Sequence, residues 1–395
     1  MKTITFSLIL FTLLLTPPFP ISYLQSFAQE DDLSDTYIVV LKDSFLSAQD
    51  TSTDFSKKYG LSIEHTYERA LKGYSAKVPK QKVEQLKKDG RVHSVVPDRV
   101  IHKLTTTQGQ VPSTGFTRIK ASLNAANKGT GIGVAVIDTG IDLNHPDLKT
   151  NIIADTSCVK NVKTSNDDDG HGTHVAGIIA ALNNSMGVVG VAPEAKLIAV
   201  KVLNSKGDGS WSKIICGIDW VTKHAQEYNI KVVNMSLGGP GSSDGNCGNN
   251  NSDPLHKAIC RSRDAGITYV VAAGNESTET RKSVPASYDD AVITVSALTN
   301  DTFASFSNFG PEVDIGAPGV NIRSTWLKGT YRMESGTSMA TPFVSGAAAL
   351  YLKKFPGSSW QQVRDGLRSR GETLNHGHTD PSGKHPEPVI LVDKL

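Results

Sequence analysis

Gly133-Val134-Ala135-Val136-Ile137-Asp138-Thr139-Gly140 is the stretch on which the fold turns. Its first five residues are small or β-branched, apolar and uncharged, so they read as a strand buried on both faces rather than the alternating pattern of a half-wet sheet. The run ends on a carboxylate, and a glycine then lets the chain turn sharply. Comparable runs recur at Leu197–Val202, Lys231–Met235 and Ile267–Ala273, with helical patterns at 172–182, 211–226, 254–265 and 338–354. Continuous apolar strands separated by helices predict an α/β fold with a mostly parallel, doubly wound sheet covered on both sides. Active sites in such sheets lie beyond the carboxyl ends of the strands, where Asp138 is expected.

Upstream, Thr36–Leu41, 61–67, 73–78 and Val92–Leu104 read as strands, with helices over 46–58 and 80–89. The order β-α-β-β-α-β is a small ferredoxin-like α+β unit. From Thr105 the composition changes to Thr, Gln, Gly and Pro, as in a linker. Residues 1–28 carry one charge, Lys2, then twelve largely apolar residues from Ile4 to Leu15, prolines, and Ser26-Phe27-Ala28. A membrane span needs about 18 or more apolar residues, so this segment is predicted to be a secretory signal peptide cut after Ala28. Over 395 residues, Lys+Arg 41 against Asp+Glu 39 leaves 41 − 39 = +2. That balance gives no electrostatic case for nucleic acid or a membrane surface as partner. The four cysteines have no CxxC spacing, which excludes a zinc ribbon.

Three further segments carry chemistry. His171-Gly172-Thr173-His174-Val175-Ala176-Gly177 opens a helix with a histidine, and its two histidines are three apart without the intervening Glu of HExxH. Gly336-Thr337-Ser338-Met339-Ala340-Thr341-Pro342 opens another with a serine, and Ala340 stands where the esterase elbow GxSxG needs glycine. Alone, the aspartate reads as a turn residue and the serine as an N-cap. Together they supply acid, base and nucleophile in the order Asp138, His171, Ser338, separated by 171 − 138 = 33 and 338 − 171 = 167 residues.

The segments at 135–142, 171–177 and 336–342, with Val271-Ala272-Ala273-Gly274-Asn275, resemble the subtilisin-like serine proteases. The resemblance implies a secreted endopeptidase with Asp138, His171 and Ser338 as triad and Asn275 as oxyanion donor. A catalytically dead relative needs one of these residues to be missing, and all are present. The unit at 29–104 resembles the family's inhibitory propeptide, which implies a self-processing zymogen with 105–110 as processing linker and 111–395 as peptidase domain. The partners implied are protein or peptide substrates and the chain's own propeptide, with the enzyme a monomer. Ser236, Leu237 and Gly238 match the segment against which substrate pairs; Ala272, Ala273 and Gly274 match the first specificity pocket, with Glu276 at its rim and Ser283 near its floor. Leu182-Asn183-Asn184-Ser185-Met186-Gly187-Val188 resembles the family's calcium loop, which implies structural Ca2+ held by Gln110, Asp147, Leu182, Asn184, Met186 and Val188. A second calcium site is carried over to Asp314 with the carbonyls of Asp289 and Ala291. Asp167-Asp168-Asp169-Gly170 lacks calcium-loop spacing and is expected to be a solvated loop. Of three cysteine pairings, Cys247 with Cys260 (260 − 247 = 13) is favoured, leaving Cys158 and Cys216 as a second bridge or as free buried thiols. The tail at Pro388–Val392 is expected to be a final strand.

Overall fold

The computed structural model describes residues 35–42, 47–103, 115–184 and 186–395, with residues 100–103 through their backbone. The expected signal peptide, the expected processing linker and Gln110 lie outside these residues.

The N-terminal unit runs β1 Thr36–Leu41, α1 Ala48–Tyr59, β2 Ser62–Tyr67, β3 Gly73–Lys77, α2 Lys80–Lys87 and β4 Val92–Pro97. Its antiparallel sheet has the order β2-β3-β1-β4 and packs Val39, Tyr74 and Ala76 against Phe55 and Leu86 of the helices. The closing strand expected over 92–104 is divided. Pro97 offers no N–H for a ladder, the chain breaks at Asp98 and Arg99, and β5 Val100–Lys103 leaves this sheet for another.

After the short α3 Gly115–Arg118 come β6 Gly133–Asp138, β7 Ile152–Ser157, α4 His171–Ala180, β8 Lys196–Lys201, β9 Asp208–Ser210, α5 Trp211–His224, β10 Ile230–Met235 and β11 Leu237–Pro240. They are followed by α6 Pro254–Asp264, β12 Thr268–Ala272, β13 Ser283–Val284, β14 Ile293–Thr299, β15 Thr302–Phe303 and β16 Ile315–Pro318. The hairpin β17 Ile322–Trp326 and β18 Thr330–Glu334, then α7 Thr337–Lys354 and α8 Trp360–Arg370, complete the order.

The main sheet runs β15-β14-β12-β10-β6-β8-β7, with β16 on β14. All its pairs are parallel except β14 with β15. Successive β6 residues explain the burial on two faces: Val134 and Val136 join the core with α4 and α7, while Ala135 and Ile137 join the core with α5 and α6. The chain goes from β6 through β7 and β8 on one side, then crosses to β10 and β12 on the other. The carboxyl end of β6 is therefore the topological switch point, which opens a crevice at Asp138. The tail at 388–392 forms isolated bridges at Val389 with Gly316 and Glu372 instead of the expected strand.

Candidate active site

Asp138 ends β6 wholly buried, and its Oδ1 accepts from the Thr139 amide at 2.7 Å and faces His171 Nδ1 at 2.8 Å. Two glycines make this approach feasible. Gly140 turns at φ 109°, and a Cβ there would lie 2.1 Å from the Ser165 carbonyl oxygen. A Cβ on Gly172 would lie 2.1 Å from the Gly140 oxygen and 3.1 Å from Asp138 Cβ, forcing the histidine helix away from the aspartate.

Asp167 sits 4% exposed, its Oδ2 accepting from Thr173 N at 2.9 Å and Thr173 Oγ1 at 2.6 Å, the first-turn donors of α4. Asp169 accepts from the His171 amide at 3.1 Å, and Asp168 pairs at 2.6 Å with Lys201, whose fully buried ammonium also donates to the Thr139 carbonyl. The acidic run expected to be solvated thus anchors the histidine helix. Three carboxylates just before a helix are a capping signal in their own right. His174 is structural: its Nε2 faces the Ile322 and Arg332 carbonyls at 2.9 and 3.1 Å, and burial, followed by the neighbouring His171, lowers its pKa to about 3.

Ser338 opens α7, fully buried, and its Oγ donates to the Ser236 carbonyl at 3.1 Å. Pro342 lacks the N–H that would reach back four residues to the Ser338 carbonyl. That carbonyl accepts instead from Ser236 Oγ at 2.9 Å, which in turn accepts from Asn234 Nδ2; Asn234 Oδ1 takes a bond from Ser345 Oγ at 2.8 Å. A buried polar chain thereby joins the end of β10 to the serine helix.

Asn275 Oδ1 accepts from Thr337 N and Oγ1 at 2.9 and 3.0 Å, which aims its amide nitrogen the other way; Nδ2 is buried without a hydrogen-bond partner among the described residues. The loop around it is held by Asn308, which the sequence reading missed. Asn308 is wholly buried, accepts from the amides of Glu276 and Thr278 at 3.0 Å, and donates to the Ala273 carbonyl at 3.1 Å and Glu276 Oε2 at 2.7 Å.

Alongside β11 lies a cavity of about 320 Å³ lined by Gly238, Ala272, Gly274, Glu276 and Ser283, with Thr278 and Lys282 added to the expected set. Ala273 is fully buried and contributes its carbonyl to Asn308 instead of a wall. β5 pairs antiparallel with β11, Leu237 opposite Lys103 and Gly238 opposite His102, and on its other edge with β9. The N-terminal unit therefore threads a strand into the cleft. Asp98, just before it, accepts from Ser212 N at 3.0 Å and from Ser212 Oγ, capping α5 from outside its own unit. Asp219 of α5 reciprocates, accepting from the amides of Arg69 at 2.5 Å and Ala70 at 2.6 Å. Burial raises the pKa of both carboxyls.

The subtilase family model matches residues 129–380, and the peptidase inhibitor I9 model matches residues 36–103. The chain belongs to the subtilase family. Subtilisin NAT of Bacillus subtilis subsp. natto is 42% identical over 308 residues, 76% of each chain. A thermostable alkaline protease of Halalkalibacterium halodurans is 38% identical over 338 residues, 86% of this chain and 87% of that one. A crystal structure of a cold adapted subtilisin-like serine proteinase superposes with TM-score 0.59 at 35% identity, covering 68% of this chain and 91% of the other. This subtilase is a serine endopeptidase made with an inhibitory propeptide.

Around the expected calcium loop of this subtilase, Asp147 is fully buried. Its carboxylate accepts from Asn184 Nδ2 at 2.9 Å, Val188 N at 3.2 Å and the Tyr331 hydroxyl at 2.7 Å, while the Leu182 amide donates to its carbonyl at 2.9 Å. Met186 joins through its amide, which donates to Asn184 Oδ1 at 3.0 Å. The Asp147 carboxylate is held by N–H donors of this loop and by the Tyr331 O–H, and a buried carboxylate beside an amide side chain is the kind of oxygen donor a hard cation takes, with the Asn184 oxygen available once its amide turns over. The second expected site does not fit. Asp314 Oδ1 is taken by Arg368 at 2.9 Å, and Arg364 lies 3.8 Å from Asp314 and 3.9 Å from Asp289, so guanidinium groups hold the place of the ion. Both disulfides are present, Cys247 with Cys260 and Cys158 with Cys216.

Proposed function

We propose that Asp138, His171 and Ser338 form the catalytic triad of an exported endopeptidase, and that Asn275 Nδ2 and the Ser338 amide form its oxyanion hole. The observation that carries this reading is the 2.8 Å contact between His171 Nδ1 and the buried Asp138 carboxylate. The contact fixes the tautomer with the proton on Nδ1 and leaves Nε2 as base. Ser338 Oγ turns from the Ser236 carbonyl toward His171, loses its proton to Nε2 and attacks the scissile carbonyl; His171 then returns the proton to the leaving amine. The Asn275 amide, already desolvated and held by Thr337, meets the oxyanion without reorganising.

The substrate backbone takes the place of β5 against β11, and its side chain before the cut enters the cavity at Gly238 and Ser283. The leader at 1–28 directs export, and the peptidase domain acts as a monomer. Asp147, Leu182, Asn184, Met186 and Val188, with Gln110 as a further ligand, would hold one calcium ion, which would stabilise the loop. The test is labelling of the processed protein with a fluorophosphonate. Labelling lost in Ser338→Ala, with the propeptide still attached in that variant, is the expected result; labelling that survives the substitution refutes the assignment.

A further inference from the structure

Cys247, His256, Cys260 and Asp290 offer two sulfurs, an imidazole nitrogen and a carboxylate oxygen that all lie within 4.8 Å of one another. His256 and Cys260 are four residues apart on α6 and share one face of it. Cys247 comes from the loop after β11, and its amide donates to Asp290 Oδ2 at 2.9 Å. Asp290 Oδ1 faces His256 Nε2 at 2.6 Å. Behind the imidazole, Nδ1 faces Asp244 Oδ1 at 3.5 Å, and the Tyr288 ring stacks on it at 3.9 Å. His256 is fully buried, whereas Cys247 is partly open to solvent.

We propose that when the Cys247–Cys260 bridge is reduced, these four side chains bind one borderline divalent cation such as Zn2+ in a closed tetrahedral site. The reductant is a thiol or a phosphine that reaches the partly exposed Cys247. With a phosphine, one phosphine, one disulfide and one water give one phosphine oxide and two thiols. The phosphorus is oxidised and the sulfur–sulfur bond is broken and reduced, while the water supplies the oxygen and both protons. The two thiols then bind the divalent cation as thiolates and release two protons. A tetrahedron of about 2.0–2.3 Å bonds has edges of about 3.3–3.8 Å. Donors up to 4.8 Å apart thus need to close by about 1 to 1.5 Å, while the freed sulfurs and the His256–Asp290 pair at 2.6 Å move apart. Two thiolates select against calcium and magnesium, which take oxygen ligands, so the site differs in kind from the Asp147 loop. Asp244 lies 3.5 Å behind Nδ1, near enough to serve as an outer carboxylate if the ring shifts toward it when Nε2 takes the ion. Four protein ligands leave no open position, so the ion serves structure. It keeps the segment after the substrate strand tied to α6 where a disulfide cannot persist.

The test uses the full-length Ser338→Ala chain, which cannot digest itself, before and after a water-soluble phosphine, titrated with Co2+ and then Zn2+. The reduced chain takes up one equivalent of Co2+ with thiolate charge-transfer and tetrahedral d–d bands, releases about two protons, and loses the bands when Zn2+ displaces the cobalt; the oxidised chain shows none of this. Cys260→Ser and His256→Ala weaken binding by more than the roughly 10- to 100-fold typical of an outer partner. Asp290→Asn, which keeps the side-chain shape, also weakens it, whereas Cys216→Ser leaves it intact. Absence of the bands in the reduced chain, bands that persist in Cys260→Ser, or unfolding of the reduced chain despite Zn2+ each overturns the proposal.

Discussion

Replacing Asn308 with aspartate tests whether the loop that carries the proposed oxyanion donor Asn275 is held by the hydrogen bonds described. The substitution preserves shape and the two bonds accepted from Glu276 N and Thr278 N, but it removes the amide donor. A carboxylate oxygen then stands 2.7 Å from Glu276 Oε2 and 3.1 Å from the Ala273 carbonyl oxygen. Loss of a hydrogen bond to a charged group costs about 1.5–3 kcal/mol. Repulsion between the carboxylates adds about 1 kcal/mol, kept small because Glu276 is solvent-exposed. The sum, about 2.5–4 kcal/mol, falls on the loop that aims Asn275, so kcat/KM for a peptide substrate drops by about two to three powers of ten. The defect depends on pH with a definite sign. Two carboxylates in contact raise one pKa, and the proton taken up on acidification restores a donor between them. The ratio of variant to wild-type activity therefore rises as pH falls, and Glu276→Gln in the same chain recovers part of the loss at neutral pH. A variant with wild-type kcat/KM across the pH range, on a chain of unchanged melting temperature, refutes the account.

Asp98→Ala removes the cap that the propeptide gives to α5; breaking bonds to a buried carboxylate worth about 1.5–3 kcal/mol should speed the appearance of activity after processing by about ten- to a hundredfold. His65 is lowered to about 4 from 6.5 by burial and by Lys213 and Lys160 of the peptidase domain. Its contribution to docking is therefore complete above pH 6.5, is lost as pH falls toward 4, and amounts to at most about 3 kcal/mol. Asp98 and Asp219, with raised pKa values, act in the opposite sense. The comparison of wild type with His65→Leu, by the rate of propeptide release between pH 7 and pH 4.5, isolates the histidine; equal rate profiles count against it. Ser236→Ala strands the Ser338 carbonyl that Pro342 has freed, and should cost about 1–3 kcal/mol in urea unfolding of a Ser338→Ala chain.

The parallel strands were legible because each is covered on both faces, so Val134–Ile137 and Val232–Val233 carry no polar interruption. β7 escaped for the opposite reason: it edges the sheet, its burial alternates, and Asp155 and Thr156 dilute the apolar signal. α8 does carry a local signal, the capping box of Ser359 with Gln362, though its helix was not among those expected. The proposed triad rests on three local motifs, each setting one side chain near an element's end, and the fold brings Asp138 and His171 into contact. Asn308 and Lys201 were not legible, since their importance lies in partners 30 to 35 and 33 to 62 positions away that only the fold brings near. Pro97 and Asp98 read as strand because apolar residues flank them, yet they are where the chain passes from one unit into the other.

The strand β5 has one more consequence. While the peptide between the two units is intact, the inhibitor is present at the high effective concentration that a tether confers. Cutting that link adds nothing to the strength of the contacts at β11, Asp98 and Asp219; it changes the order of the reaction. Occupancy of the cleft then depends on how much enzyme shares the volume, so a crowded solution of freshly cut molecules keeps itself inhibited and dilution releases it. The same β-ladder thus works as a lock inside the precursor and as a concentration gauge after the cut.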